Sequence, residues 1–319
     1  MTVSIELISP SLLNNRSLLR ETDRWLSVMA RPNGWHYDLD HAWILEKLEE
    51  AGICPGQTIL DAGAGLGVMQ YILASRGYNV ISLDFKLRSP PPQARGIFKM
   101  TVKDTPNFDY KHDYMNHISH QKNAKNKPSI REIVRKAAKL RDWGYYAVRA
   151  AENLRNNIAN RREKGGDHTK FGTIQFLRAS FHEIPLSDAV CDAAISVSAI
   201  EHADKNILPT VIEELKRIVK LDGPVAVTTS ATIDRQDVFH ELTQGWCFSA
   251  GTLSRLFNEQ ADFVHFKEFE NALLCSKTLW SRMHASYRRK GGRGLFPSRP
   301  TEGLPYLPVG IFFHGRQRV

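Results

Sequence analysis

One run of ten residues, 58–67, constrains the fold of this chain more than any other. Its sequence is TILDAGAGLG, an apolar segment that passes directly into three alternating glycines, Gly63, Gly65 and Gly67. The first residues suit a buried strand, and the glycines allow a tight turn that leaves room for a ligand against the main chain. Residues 68–76 then have the composition of a helix. The pattern predicts a strand–loop–helix unit of an open α/β sheet, with a nucleotide-type ligand at the crossing.

The glycine spacing separates two classes of cofactor. A dinucleotide-binding loop has the pattern G-x-G-x-x-G, whose third glycine would fall at Val68, whereas Gly67 comes one residue earlier. This spacing disfavours NAD. The next apolar segment, residues 78–85, contains Asp84 about twenty residues beyond the glycines, and its carboxylate can accept hydrogen bonds from both hydroxyls of a ribose.

Two further blocks follow in the order of an alternating α/β fold. Residues 176–188 contain a strand-like segment and a turn, and residues 191–202 begin with a small, apolar run typical of a central strand buried on both faces. Residues 207–219 carry apolar side chains at helical spacing, and residues 225–229 are predicted to form the next strand.

In this order, the blocks resemble class I S-adenosylmethionine-dependent methyltransferases of the small-molecule type. The glycine run is similar to their motif I, in which an acidic residue precedes G-x-G-x-G beneath the methionine and ribose parts of the cofactor. Asp84 has the position of the acid that binds the ribose, and Ser180 stands where the family usually has an Asp at the adenine. The resemblance implies S-adenosyl-L-methionine as the cofactor. The implied contacts are Asp61, Gly63, Ala64, Gly65, Gly67, Asp84, Phe85, Ser180, Phe181 and Val197.

The resemblance also implies a fold, a Rossmann-like α/β sheet of seven strands that is mostly parallel and has an antiparallel edge strand. We expect residues 57–319 to form this domain, with its last two strands over 263–269 and 309–313. Residues 1–56 are expected to form a helical N-terminal cap, in which Asp40 caps the second helix.

A basic segment is predicted to interrupt the domain between its second and third strands. Residues 86–170 carry 20 Lys and Arg against 8 Asp and Glu, a net charge of +12, while the whole chain has a net charge of +9. Because such connections are usually short, we interpret residues 88–170 as an insertion, with helices over 129–162. These helices could pack on the domain, cover the substrate pocket and supply cations to an anionic acceptor, or bind nucleic acid.

Composition excludes several other classes of protein. The 42% hydrophobic content is ordinary for a globular chain, and no apolar run reaches the roughly 18 residues of a membrane span. The four cysteines are widely separated and indicate no metal site. The N-terminal residues do not have the pattern of a secretory signal, so a cytoplasmic location with reduced thiols is expected.

The sequence therefore predicts a methyltransferase acting on a small-molecule or metabolite-like acceptor, which could be anionic. A hydroxyl acceptor needs a base, for which His202, His36 and His41 are candidates, and Tyr37 is a candidate for closing over the cofactor or acceptor. The alternative is a non-catalytic protein that keeps this fold and binds RNA or an anionic surface through its basic segment.

Overall fold

The computed structural model describes residues 3–86, 88–105, 143–241, 243–283, 304 and 306–315. The strands are β1 (Ser4–Leu7), β2 (Thr58–Ala62), β3 (Asn79–Asp84), β4 (Lys99–Lys103), β5 (Thr173–Arg178), β6 (Ala193–Val197), β7 (Pro224–Ala231), β8 (Val238–His240), β9 (Gly245–Cys247) and β10 (Leu307–His314). The α-helices are α1 (Arg16–Val28), α2 (Tyr37–Glu50), α3 (Met69–Ser75), α4 (Trp143–Lys164), α5 (Leu208–Ile218), α6 (Ala250–Phe257), α7 (Phe266–Leu274) and α8 (Lys277–Arg282).

Eight of the strands form one sheet in the order β1-β10-β7-β6-β2-β3-β5-β4. Strand β10 is antiparallel to both of its neighbours, and the other pairs are parallel. Strands β8 and β9 form a separate antiparallel pair. The predicted Rossmann-like, mostly parallel sheet with an antiparallel strand is confirmed, with eight strands in place of the seven expected.

The central strands are buried because their sequences are apolar and small. Every residue of β7 is buried, as are the first four residues of β6. Helices cover both faces of such a sheet, and α5 contributes the buried stripe Leu208, Val211, Ile212, Leu215 and Ile218. The sequence prediction of this strand–helix–strand unit is confirmed to within a few residues at each boundary.

The predicted strand over 263–269 is wrong. Its residues belong mostly to α7, and the place beside β10 is taken by β1, where Ile5 pairs with Ile311. This strand lies in the segment expected to be a purely helical cap. The second cap helix also differs, because α2 begins at Tyr37 and the side chain of Asp40 is buried in its first turn instead of capping it.

The basic segment adds one strand and one described helix to this frame. Strand β4 extends the sheet beside β5, and α4 packs against α1. Arg24 and Glu163 form an ion pair at 2.6 Å, and the Asn160 side-chain amide donates hydrogen bonds to the carbonyl oxygens of Val28 and Gln93. The predicted helical residues before 143 lie outside the described part of the chain. None of the described helices is long and apolar enough to cross a membrane.

Candidate functional site

A cavity of about 580 Å³ opens where β2, β3 and β6 end. Carboxyl ends of neighbouring parallel strands converge at one edge of the sheet, which is where open α/β sheets bind ligands. The sheet side of the wall consists of residues 61, 63–69, 84–86, 88, 181, 197–199 and 202, and the N-terminal segment supplies residues 26, 31, 32, 37 and 41. The cap and the sheet therefore enclose one cavity between them.

The glycine loop and Asp84 are in direct contact. The Gly65 N–H donates to Asp84 Oδ2 at 2.8 Å, and the Lys86 N–H donates to Oδ1 at 2.8 Å. Each carboxylate oxygen keeps a second lone pair for a ligand hydroxyl. Asp84 thus fastens the loop and also lies on the cavity wall, so capping the turn does not prevent the predicted contact with a ribose.

Two of the three motif glycines adopt a backbone conformation that disfavours other residues. Gly63 has φ +75° and Gly65 has φ +51°. A Cβ atom at position 63 would lie 2.5 Å from the Cβ of Ala199, whereas one at position 65 would approach no atom closer than 3.9 Å. The loop passes against the turn that follows β6, and this close approach requires a glycine at position 63.

Asp61 is a buried acid beside the cavity. It is 1% exposed, and neither carboxylate oxygen has a hydrogen-bond partner among the described residues. Burial raises the pKa of Asp61 to about 7, against the opposing effect of the positive charge on Arg88. An orphaned carboxylate of this kind at a cavity wall fits a cationic ligand group.

The other predicted cofactor residues divide into two groups. Ala64, Phe85, Phe181 and Val197 line the cavity. Ser180 does not, and its hydroxyl lies 2.5 Å from Nδ1 of His182.

The three candidate histidines also differ in position. His41 and His202 line the cavity, whereas His36 lies off its wall and bonds through Nδ1 to Asp40 at 2.5 Å. His41 is 3% exposed, its Nδ1 has no partner among the described residues, and burial lowers its pKa, so the ring is neutral near pH 7. Nδ1 of His202 lies 2.9 Å from the carbonyl oxygen of Gln244. Because a carbonyl only accepts, the neutral ring of His202 carries its proton on Nδ1 and has Nε2 as its basic nitrogen.

Sequence reasoning missed two arginines of the cavity wall. Arg88 contacts the glycine loop, and Arg31 has a buried Nε without a partner in the described part of the chain. Both follow stretches of ordinary composition, and neither belongs to a motif. For Arg88 a signal existed in its position, because it comes four residues after Asp84 at the exit from a strand that ends at the cavity.

Comparison with known proteins gives one family match. Residues 133–227 match the family model described as "Methyltransferase domain", a range that includes β5 and β6 and lies downstream of the glycine loop. No curated protein matches the sequence.

Three solved structures illustrate the likeness in fold, each 12% identical to this chain. The [4+2]-cyclase SpnF has a TM-score of 0.46, with 99% of this chain and 99% of that chain covered. Phosphoethanolamine N-methyltransferase 2 from Haemonchus contortus has a TM-score of 0.44, with 96% and 60% covered. Geranyl diphosphate C-methyltransferase from Streptomyces coelicolor A3(2) has a TM-score of 0.40, with 99% and 92% covered.

At such identities and scores, these likenesses carry no argument about activity. The family model and the order of motifs along the sheet are the observations that matter. They show that residues 133–227 are similar to the methyltransferase domain family, within a sheet that has the order of strands described above.

Proposed function

We propose that this protein is an S-adenosylmethionine-dependent methyltransferase that acts on a small-molecule acceptor. The single observation that carries the proposal is the meeting of the glycine loop, the Asp84 carboxylate and the orphaned Asp61 at one open cavity. A scaffold that had lost its ligand would have no reason to keep a buried carboxylate without a partner, because such a group is costly to desolvate.

The residues of the cavity fit the chemical parts of this cofactor. Asp84 would accept from the ribose hydroxyls, and the rings of Phe85 and Phe181 would pack beside the adenine. Asp61 would face the positive charge of the methionine part, and the turn at Gly63 leaves the backbone free to approach it. Ser180 is not carried into this proposal, because it does not line the cavity.

The acceptor would occupy the end of the cavity that the N-terminal segment closes. Leu26 and Pro32 provide apolar surface there, and Arg31 provides a cation. When bound, S-adenosylmethionine supplies an activated methyl group for in-line displacement, so the protein's main task is to align the acceptor atom. A cavity closed in this way fits a small molecule better than a polymer, and Arg31 is compatible with an anionic acceptor.

A hydroxyl or ammonium acceptor would lose a proton, and the cavity contains two residues that could accept it. His202 would receive the proton on Nε2, since the Gln244 carbonyl holds the other ring proton on Nδ1. His41 is the second candidate, because it is neutral near pH 7 and its Nδ1 has no partner among the described residues. His36 is not carried forward, because it is paired with Asp40 away from the cavity wall.

The described part of the basic segment does not support the alternative of a nucleic-acid-binding scaffold. Helix α4 lies against α1, and none of its described side chains lines the cavity. Its contacts with the cap, such as the bond from Arg155 to the Ser27 hydroxyl at 2.7 Å, match the simplest interpretation, which is packing on the domain.

Calorimetric titration with S-adenosylmethionine tests the cofactor half of the proposal. Wild-type protein should bind, and Asp84→Ala and Gly65→Val should bind at least about tenfold more weakly, because they remove the ribose acceptor and strain the loop. Asp188→Ala makes a comparable change at an exposed carboxylate outside the cavity and should bind like wild type. Absence of binding at millimolar cofactor would overturn the proposal.

Labelled cofactor tests the acceptor half. Incubation of the protein with small-molecule extracts and methyl-labelled S-adenosylmethionine should give a labelled product that is one methyl group heavier than its precursor. His202→Gln and His41→Gln, measured separately, would show which ring accepts the proton. Label found only in added RNA, with none in small molecules, would contradict a small-molecule acceptor.

A further inference from the structure

Arg88 occupies a position between the glycine loop and the neighbouring strand. Its Nη1 donates to the carbonyl oxygen of Gly65 at 2.9 Å, and its Nη2 donates to the carbonyl oxygen of Ser82 on β3. The guanidinium carbon also lies 5.2 Å from the centre of the Phe176 ring on β5. The planar fork of an arginine can reach two carbonyls and a ring face at once, which an ammonium cannot do.

These contacts hold the two peptide groups on either side of the Gly65 Cα. Its N–H is held by Asp84 and its carbonyl by Arg88, while its own φ of +51° permits the turn. A loop bound at both groups of one residue has little freedom to rotate. The loop geometry that the cofactor would meet is therefore fixed before the cofactor binds.

Arg88 also interacts electrostatically with a buried acid of the cavity wall. Its positive charge lowers the pKa of Asp61 and so acts against the burial that raises it. Asp84 acts in the opposite direction on Asp61. The remaining charged or titratable residues of the cavity wall are Arg31, Tyr37, His41, Lys86 and His202.

We propose that Arg88 is a positioning residue of the cofactor site, which holds the glycine loop in its binding geometry and keeps Asp61 available as a carboxylate. This inference rests on the proposed function, because it assigns Asp61 to a cationic part of the cofactor. It assigns two separable roles to Arg88, one through hydrogen bonds and one through charge.

The test is the pH dependence of cofactor affinity, measured by calorimetry with S-adenosylhomocysteine, whose amino group provides the cation, between pH 5.5 and 8.5. Wild-type affinity should rise with pH as Asp61 ionises. Arg88→Met should weaken binding about tenfold or more, because the guanidinium hydrogen bonds to the loop are lost. It should also move the midpoint of this rise upward by about one pH unit, because the positive charge near Asp61 is lost. Arg88→Lys should weaken binding but leave the midpoint close to the wild-type value, because the charge remains.

Three controls make the outcomes distinct. Arg95→Met makes the same substitution at an exposed position of the same segment and should bind like wild type. In Asp61→Asn, the increase of affinity with pH that Arg88 modulates should be lost. Any pH dependence of affinity that persists in this variant therefore comes from His41, His202 or the ligand. Thermal melts of each variant report folding, and Arg88→Lys carries the test if Arg88→Met does not fold.

Wild-type affinity and midpoint in Arg88→Met would overturn the inference and leave the proposed function intact. Weaker binding in Arg88→Met and Arg88→Lys with unchanged midpoints in both would overturn the charge role. Failure of wild-type protein to bind the cofactor at all would instead overturn the proposed function.

Discussion

At the scale of single residues, Gly63 is the position where a side chain is least tolerable. An alanine there would take an unfavourable φ of +75° and place its Cβ 2.5 Å from that of Ala199, which lines the cavity. We expect Gly63→Ala to abolish measurable cofactor binding. The variant should also lose more than about 1–2 kcal/mol of unfolding free energy, which is the cost of the unfavourable backbone conformation alone. Calorimetry and urea unfolding measure the two effects.

Gly52 provides the matched control for that substitution. It has nearly the same φ, +73°, and no atom lies within 4 Å of a Cβ built on it. Gly52→Ala should therefore lose only the stability that the unfavourable backbone conformation costs, and it should bind the cofactor normally. Equal behaviour of the two variants would show that the contact with Ala199 is unimportant.

The pKa of Asp61 predicts a pH dependence of stability. It is about 7 in the folded protein against 3.8 in the unfolded chain, so between these values the folded state binds the proton more tightly. Stability from this group is fully present below about pH 4 and is lost as the pH rises through 7. Each unit of pKa shift corresponds to about 1.4 kcal/mol.

Asp61→Asn removes this titration while keeping the shape of the side chain. The free energy of unfolding of the variant should therefore increase relative to that of wild type, by roughly a few kcal/mol, as the pH rises from about 4 to about 7. Urea unfolding at pH 4.5 and pH 8 measures the difference. The same difference at both pH values would mean that the carboxylate is not desolvated.

The residues of the site were predictable to the extent that their signals are local. Gly63, Gly65 and Asp84 lie within about twenty residues of one another in a pattern that suits ligand binding, and a hydrogen bond of 2.8 Å joins Gly65 to Asp84. Arg31 has no local signal, and the position of Arg88 after Asp84 does not reveal its partners, which are main-chain oxygens. The direction of a main-chain carbonyl group cannot be read from the sequence.

At the scale of elements, the two edges of the sheet show where pattern reading fails. Residues 263–269 alternate enough to suggest a strand, yet Phe266, Glu270, Leu273 and Leu274 form the buried stripe of α7, which becomes visible only beyond that window. Strand β1 has four residues, of which only Ile5 and Leu7 are buried. So short an alternation carries almost no signal by itself, and its partner β10 lies far away along the chain, with Leu7 paired to Val309.

Packing at Gly310 fixes how α2 lies on the sheet. A Cβ at this residue of β10 would lie 2.3 Å from the indole ring of Trp43, whose Nε1 donates to Glu6 of β1 at 2.8 Å. We expect Gly310→Ala to destabilise the protein by about 1–3 kcal/mol, because a buried ring must move. Urea unfolding followed by tryptophan fluorescence measures this change.

Gly251 gives the opposite case in the helix α6. A Cβ there meets only the far end of the Arg255 side chain, at 3.7 Å. Gly251→Ala should therefore stabilise the protein slightly, by about 0.5–1 kcal/mol. Loss of stability in both variants would indicate that Trp43 does not limit the space at Gly310.

At the scale of the whole molecule, Arg282 joins the C-terminal part of the chain to the N-terminal cap. It donates to both oxygens of Asp38 at 2.8 and 3.0 Å, to Asp23, and to the carbonyl of Leu19 at 2.9 Å. The described residues show it at the end of α8 with its side chain 13% exposed, and residues 284–303 lie outside the described part. A contact across 244 positions has no local signature.

This contact also supports the cavity, because α2 carries Asp38 beside Tyr37 and one turn before His41. Arg282→Met would leave the carboxylate of Asp38, which is 1% exposed, with the uncharged side-chain amide of Asn33 as its one remaining side-chain donor among the described residues. We expect a loss of about 3–5 kcal/mol in unfolding free energy, together with weaker cofactor binding as the cap loosens. Arg282→Met/Asp38→Asn should recover part of both losses, since no buried charge then lacks its partner. Arg255→Met, the same change on the exposed surface of α6, should alter stability by no more than about 0.5 kcal/mol. If the double variant were as unstable as the sum of its single variants, the two residues would act independently, and the ion pair between them would not stabilise the cap.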